Sequence, residues 1–142
     1  MRGSPPPFIF VRVMKMRELP NIVRIAKIGS FAAEVDNAFR RVRNGINAVD
    51  WRTDEDPEWH KTDLLPMIDQ LYKLMNHSDV AYTVNLPTFP LSVLKLANAI
   101  KHDEDMFNIL NMTSKALEDL DQAHLETLSA LAREIRRILE DN

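Results

Sequence analysis

One stretch of the chain repeats apolar residues at alternating intervals of three and four positions. Its members are Ile25, Ile28, Ala32, Val35, Phe39, Val42, Ile46 and Val49. This spacing places all of them on one side of an α-helix, where they form a continuous seam. Such a helix is stable in water only when other helices cover the seam. The pattern therefore predicts one long helix within a bundle, beginning near Pro20 and ending near Val49.

The predicted helix is long for a chain of 142 residues. Residues 20–49 would span about 45 Å at a rise of about 1.5 Å per residue. A compact globule of this size has a diameter of about 37 Å, from its expected radius of gyration. The molecule is therefore expected to be elongated, or to extend one end of this helix towards a partner. Phe31 and Ala38 widen the apolar face, which favours a bundle over a two-stranded coiled coil.

Two shorter segments in the middle of the chain also carry apolar residues at helical spacing. The first, residues 63–76, has the apolar stripe Leu64, Ile68, Leu71 and Met75. The second, residues 91–101, has the stripe Leu91, Leu94, Ala97 or Leu96, and Ile100. These segments predict the second and third helices of the bundle.

The C-terminal part of the chain predicts two more helices. Asp103 is a favourable N-cap for the first of them. Asp119 and Gln122 have the spacing of a capping box, which predicts that another helix begins there. The seam of this last helix repeats the rhythm of the first helix: Leu125, Leu128, Ala132, Ile135 and Leu139. The matching seams predict that the first and last helices pack side by side.

The N-terminal residues 1–19 have a different character from the rest of the chain. Pro5, Pro6 and Pro7 favour an extended conformation, and Phe8 to Val13 has the composition of a strand. We therefore expect an extended N-terminal arm over residues 1–19 and a single helical domain over residues 20–142. Val80 to Val84 is the candidate partner strand for the arm. The predicted fold is an all-α bundle of four to five helices with, at most, this minor two-stranded β element.

Charge is divided unevenly along the chain. Residues 1–49 carry a net charge of +6 and residues 50–142 a net charge of −9, for a total of −3. One interpretation is intramolecular: the basic first helix packs against acidic neighbours. The other is that the basic face of that helix meets an acidic partner. The sequence leaves both open.

Several kinds of catalytic and metal site are excluded by the residue types present. The chain has no Cys, which excludes disulfides, thiolate metal sites and cysteine nucleophiles. None of the four His has a second His or a Glu at metal-binding helical spacing. Three scattered Gly cannot supply a phosphate-binding loop. We therefore expect no catalytic residue, no metal and no cofactor, and the chain is not expected to be an enzyme.

Two groups of residues are candidates for binding a partner. Three arginines near the end of the first helix are suited either to an acidic protein or to nucleic-acid phosphates. Four aromatic residues in the arm and in the connection after the first helix are suited to a protein interface if exposed. The candidates are Phe8, Phe10, Arg40, Arg41, Arg43, Trp51 and Trp59.

The sequence favours a non-catalytic helical protein–protein interaction module, self-associating or an accessory subunit of a larger assembly. The alternative is a nucleic-acid-binding helical domain that uses the basic face of the first helix. No apolar run has the length of a membrane span. An intracellular location is expected, in the cytoplasm. Mitochondria are the alternative, because residues 1–17 contain four basic residues and no acidic one.

Overall fold

The computed structural model describes residues 16–49, 58 and 60–141 of the chain. Its four α-helices are α1, Asn21–Ala48; α2, Leu65–His77; α3, Leu91–Lys101; and α4, Met106–Glu140. A 3-10 helix, Met16–Glu18, precedes α1, and a π-helical segment, His60–Leu64, precedes α2. No β-strand occurs among the described residues. The fold is an all-α bundle of four helices.

The first helix agrees with its prediction at both ends. It follows Pro20, which has no amide hydrogen to leave unpaired, and it gives way to extended backbone at Val49. The predicted seam faces the core: Val35, Phe39, Val42 and Ile46 are almost completely buried. The helix continues through Gly29 and Gly45 without a break. The residues of the apolar seam keep their helical spacing on both sides of each glycine.

The prediction of a fifth helix is wrong, because α4 is one continuous helix. Asp119 lies inside it and does not cap a new one. Instead, its carboxylate accepts a hydrogen bond of 2.7 Å from the hydroxyl of Ser92 in α3. The residue before α4 is Asp105, so Asp103 is not its N-cap either. A local capping pattern is thus outweighed by packing along the whole length of the helix.

The predicted β element is also wrong where the structure describes it. Val80 to Val84 forms a helical turn, in which the amide of Val84 donates to the carbonyl of Val80 at 2.8 Å. Ser78 starts this turn, since its hydroxyl accepts a hydrogen bond from the amide of Ala81. Phe8 to Val13 lies outside the described residues. The last part of the predicted extended arm is the 3-10 helix Met16–Glu18, with Met16 buried.

The four helices form a ring in the order α1, α2, α3, α4, and α1 and α4 make the most extensive pairing. Arg24 at the start of α1 lies 3.7 Å from Glu134 near the end of α4. Arg43 near the end of α1 lies 3.3 Å from Asp121. The two helices therefore run antiparallel, side by side, as their matching apolar seams predict.

Asp103 makes the tight turn between α3 and α4. It has a positive φ of 53°, a conformation that Gly adopts most readily and that Asp tolerates better than most residues. The amides of Asp103 and Glu104 donate to the carbonyls of Ile100 and Ala99, the pattern of a Schellman motif. The Asp103 carboxylate also binds the ammonium group of Lys61 at 2.7 Å. The start of α2 is thereby tied to this turn.

The short helices cover only part of the long ones. At about 1.5 Å per residue, α1 and α4 are about 42 and 52 Å long, whereas α2 and α3 are about 20 and 17 Å. We call residues 35–48 of α1 and 106–120 of α4, with α2 and α3, the four-helix half. Residues 21–34 and 121–140 form the two-helix half. Two of the buried α1 residues lie in residues 21–34 and six in residues 35–48.

The turn after α2 closes the inner side of the two-helix half. Tyr82 and Thr83 lie next to Arg24 and Glu134, and Val80 and Val84 join the core. The outer side has no such cover among the described residues, and this difference positions the candidate site.

The buried stripe of α3 differs from the predicted one. Leu91 is 63% exposed and Leu94 is 36% exposed, whereas Val93, Leu96, Ala99 and Ile100 are buried. The helix is therefore turned from the predicted orientation, because its covered side faces α4 and α2 together.

Candidate interaction surface

The contact between Asp36 and His124 marks the outer side of the α1–α4 pair. The two side chains meet at 2.6 Å and are 27% and 18% exposed. Residues four, seven and eleven positions away on a helix share one side of it. From Asp36, these positions lead to Ala32, Gly29 and Ile25; from His124, they lead to Leu128, Leu131 and Ile135. Leu131 is buried in the core, and the other residues continue the same side of the pair into the two-helix half.

The residues beside this line extend it into an apolar surface. Ile22, Leu125 and Leu139 are large apolar side chains that are 78%, 65% and 56% exposed. Ala132 is also exposed, while Ile25, Ala32, Leu128 and Ile135 are half-buried. We call the whole set the outer apolar face: Ile22, Ile25, Gly29, Ala32, Leu125, Leu128, Ala132, Ile135 and Leu139.

The outer apolar face combines large and small side chains. A methyl group added at Gly29 would meet no atom within 4 Å, so the space above this glycine is open. Ala32 and Ala132 are similarly small, whereas leucine and isoleucine side chains project around them. From Leu125 to Leu139 the face is about 21 Å long. Large apolar side chains that are exposed next to one another on one side of a protein are typical of an interaction site.

The same side of the pair changes character at the boundary between the two halves, where it is polar. Asp36 accepts hydrogen bonds from Arg40, at 3.0 Å, and pairs with His124, whose ring stacks on Phe39 at 4.7 Å. These hydrogen bonds, the one with His124 first, lower the pKa of the Asp36 carboxyl below its ordinary value. Arg43 binds Asp121 of α4. The charged groups thus satisfy one another within the chain.

The structure separates the three arginines that the sequence groups together. Arg40 and Arg43 lie towards the α4 side of α1, and each binds a carboxylate. Arg41 is exposed and, at 100° per residue, lies on a different side of the helix. The described residues of α1 therefore present no single basic face at these three positions.

The four aromatic candidates have no structural description. Phe8, Phe10, Trp51 and Trp59 lie outside the described residues. Their assignment to a partner surface stays a prediction.

The exposed position of Leu125 and Leu139 was missed by the sequence reasoning, which places them in a buried seam. The core-facing stripe of α4 is instead a parallel row of smaller residues: Ile109, Thr113, Ala116, Leu120, Ala123, Thr127, Ala130, Leu131 and Ile138. One helix thus carries two apolar rows. A second row beside a complete one is the sequence signal that could have revealed this surface.

The outer apolar face supplies contact area and not reactive groups. No group of three or more His, Cys, Asp or Glu side chains is placed to hold a metal ion within residues 16–49, 58 and 60–141. In the same part of the chain, no helix combines the length and the apolar character required to cross a bilayer. What this surface can do physically is bury apolar area against another molecule.

No family model matches the chain, and neither a curated protein nor a solved structure matches it significantly. The evidence about function is therefore the geometry of the chain itself.

Proposed function

We propose that this chain is a non-catalytic helical protein–protein interaction module that self-associates through its outer apolar face. The observation that carries the proposal is the row of large apolar side chains left uncovered along the two-helix half. Ile22, Leu125 and Leu139 are each more than half exposed. Removing such side chains from water contributes about 1.5–3 kcal/mol each when burial is complete.

The absence of charge on this face favours a second copy as its occupant. All nine residues are uncharged, so the centre of the face brings no like charges together when two copies pair about a two-fold axis, and the exposed Arg136 stands at its edge, four positions after Ala132. An acidic or basic partner would find no complementary charge there. The projecting side chain of Leu125 and the open space above Gly29 also give one surface the large and small residues that a self-complementary contact can use.

The size of the face sets the expected strength of the contact. A standard stable interface buries about 800 Å² per partner, and the three large, mostly exposed side chains of this face supply only part of that area. The dimer is therefore expected to be reversible and to depend on protein concentration.

Light scattering coupled to size-exclusion chromatography, over a range of loading concentrations, tests the proposal. The wild-type mass should rise towards that of a dimer with concentration. Leu125→Arg should weaken the dimer by at least about tenfold, because a buried charge without a partner would face the two-fold axis. Leu91→Arg is the matched control: Leu91 is 63% exposed, compared with 65% for Leu125, but it lies on α3.

Three results would contradict self-association through this face. One is a wild-type chain that stays monomeric at every concentration. Another is an equal loss of dimer in Leu125→Arg and Leu91→Arg. The third is loss of the dimer when residues 1–15 are deleted, which would assign the contact to that segment. A monomer that binds a different protein through this face would be an accessory subunit instead.

The alternative, nucleic-acid binding through Arg40, Arg41 and Arg43, has less support. Two of these arginines already bind carboxylates of the chain, and phosphate binding would have to compete with those contacts. A titration against duplex DNA and single-stranded RNA at low salt tests it. Salt-sensitive binding that disappears when all three are changed to Ala would favour this function over self-association.

The cytoplasm is the compartment we propose, since a chain without Cys is compatible with a reducing environment. Imaging of a C-terminally tagged chain tests this. Mitochondrial import that is lost when residues 1–17 are deleted would contradict it.

A further inference from the structure

A cavity on the inner side of the two-helix half has an unusual charge. Its volume is about 240 Å³. It lies between the 3-10 helix, the start of α1, the turn after α2 and the end of α4. The polar side chains lining it include Arg17, Arg24, Arg137 and Glu134, with Tyr82 and Thr83 at its edge. Three guanidinium groups and one carboxylate give it a net charge of +2.

The single carboxylate is already engaged by one of the three arginines. Arg137 donates two hydrogen bonds to Glu134, at 2.9 and 2.6 Å, in a bidentate arrangement. This interaction is the main cause of the lowered pKa of the Glu134 carboxyl, so Glu134 is ionised at neutral pH. The pair is close to neutral. The positive charges of Arg17 and Arg24 are therefore left without an equivalent partner in the cavity.

Arg24 is the group whose hydrogen bonds are least satisfied. Its side chain is only 15% exposed, yet its Nε has no hydrogen-bond partner among the described residues. Its other contacts are long, 3.5 Å to Asn21 and 3.7 Å to Glu134. A buried guanidinium with unused donors is costly unless something accepts those hydrogen bonds.

The start of α1 adds to the positive potential. Arg24 lies in the first turn of this helix, which has no acidic residue and no side-chain cap. The unpaired amides at a helix start carry a partial positive charge, where a basic side chain is disfavoured and an anion is favoured. The position of Arg24 at the helix start is therefore electrostatically unfavourable, and a bound anion would offset this repulsion.

We propose that this cavity binds a small oxyanion, a phosphate or carboxylate group, between the guanidinium groups of Arg17, Arg24 and Arg137. Arginine presents a planar fork of donors that matches both groups. The volume is below the range of about 300–1,000 Å³ typical of drug-sized ligands. It suits a small anion or a single anionic group, and a nucleotide is too large. The inference is independent of self-association, because none of the residues that line the cavity belongs to the outer apolar face.

Isothermal titration calorimetry of the full chain with inorganic phosphate is the primary test, with citrate and acetate as carboxylate arms. Sodium chloride at matched ionic strength is the control for general screening. Saturable binding of phosphate alone would assign a phosphoryl ligand, and saturable binding of the carboxylates alone would assign a carboxylate ligand.

Variants locate the site. Arg24→Gln should weaken binding by at least about tenfold, as expected for loss of a charge-assisted hydrogen bond. Arg24→Lys keeps the charge but lacks the fork, and should bind with intermediate affinity. Arg41→Gln is the matched control, because Arg41 is an exposed arginine of the same helix outside the cavity. Its affinity should stay within about twofold of wild type.

Arg17→Gln keeps the test decisive if Arg24→Gln fails to fold. Arg17 is exposed on the 3-10 helix, so its substitution leaves the core intact, and binding should still weaken. The proposal is overturned if neither phosphate nor a carboxylate binds saturably above the chloride control. It is equally overturned if Arg41→Gln weakens binding as much as Arg17→Gln and Arg24→Gln do.

Discussion

The four-helix half and the two-helix half share α1 and α4, yet the same helices are buried differently in each. In the four-helix half, α1 has α2 on one side and α4 on the other, and its apolar seam is closed. In the two-helix half the seam residue Ile28 is still buried and Ile25 and Ala32 are half-buried, but Ile22, which lies beside the seam, is 78% exposed. Apolar periodicity thus determines which side of a helix can be covered. The lengths of the neighbouring helices determine how much of that side is covered.

The largest expected difference between the halves is in the free energy of unfolding that is lost when a buried leucine is shortened to alanine. Leu120 and Leu131 are both 1% exposed and lie on the same helix, one in each half. We expect Leu120→Ala to lower the free energy of unfolding by about 4–5 kcal/mol and Leu131→Ala by about 2–3 kcal/mol. The second cavity should cost less, because fewer elements hold its walls in place.

Urea denaturation at a protein concentration that keeps the chain monomeric measures this pair of variants. Equal costs would show that the two halves are equally rigid. A greater cost for Leu131→Ala would reverse the comparison.

A smaller effect is expected at the turn that closes the four-helix half. Asp103→Ala should destabilise the chain by about 1 kcal/mol, because Ala at positive φ is strained and the contact with Lys61 is lost. Asp103→Gly also loses that contact but relieves the strain, so its stability should stay within about 0.5 kcal/mol of wild type. Thermal unfolding followed by circular dichroism compares the two. A Gly variant less stable than the Ala variant would be inconsistent with this account.

The smallest expected effect is on the stability of the chain at acidic pH, through Asp36 at the boundary between the two halves. Hydrogen bonds from His124 and Arg40 lower the pKa of Asp36 from its ordinary 3.8. The stability from Asp36 is therefore fully present above pH 3.8 and is lost as the pH falls through the lower folded-state value. Asp36→Asn should remove this part of the acid dependence, at a cost of less than about 1 kcal/mol at pH 7.

Stability measured from pH 6 downwards tests the Asp36 prediction. Asp69→Asn is its control, because Asp69 is an exposed carboxylate that binds Lys73 within α2. An identical acid dependence in wild type and Asp36→Asn would refute the role of the contact with α4.

Sequence patterns predict the helices of this chain better than their orientations. The bounds of α1 and α3 follow from apolar periodicity and from Pro20 and Pro90, which act within a few residues. The carboxylate of Asp119, which fits a capping box in the sequence, instead binds Ser92, which is distant in sequence. No local pattern contains that contact.

The candidate sites show the same limit. The apolar row of Leu125 and Leu139 is visible in the sequence, but the sequence alone does not show which of the two apolar rows of α4 faces the other helices. Arg24 and Arg137 come together only because α1 and α4 run antiparallel in one particular register. A single sequence shows the residue types at each site. Which of these residues come together depends on how helices that are distant in sequence pack against one another.

The unbroken course of α4 has a mechanical consequence. The helix has no break over its 35 residues, so one continuous element carries both Glu134, which lines the arginine-lined cavity, and Asp119, which binds Ser92 of α3. Any rotation of this element about its own axis would change the surroundings of both residues together.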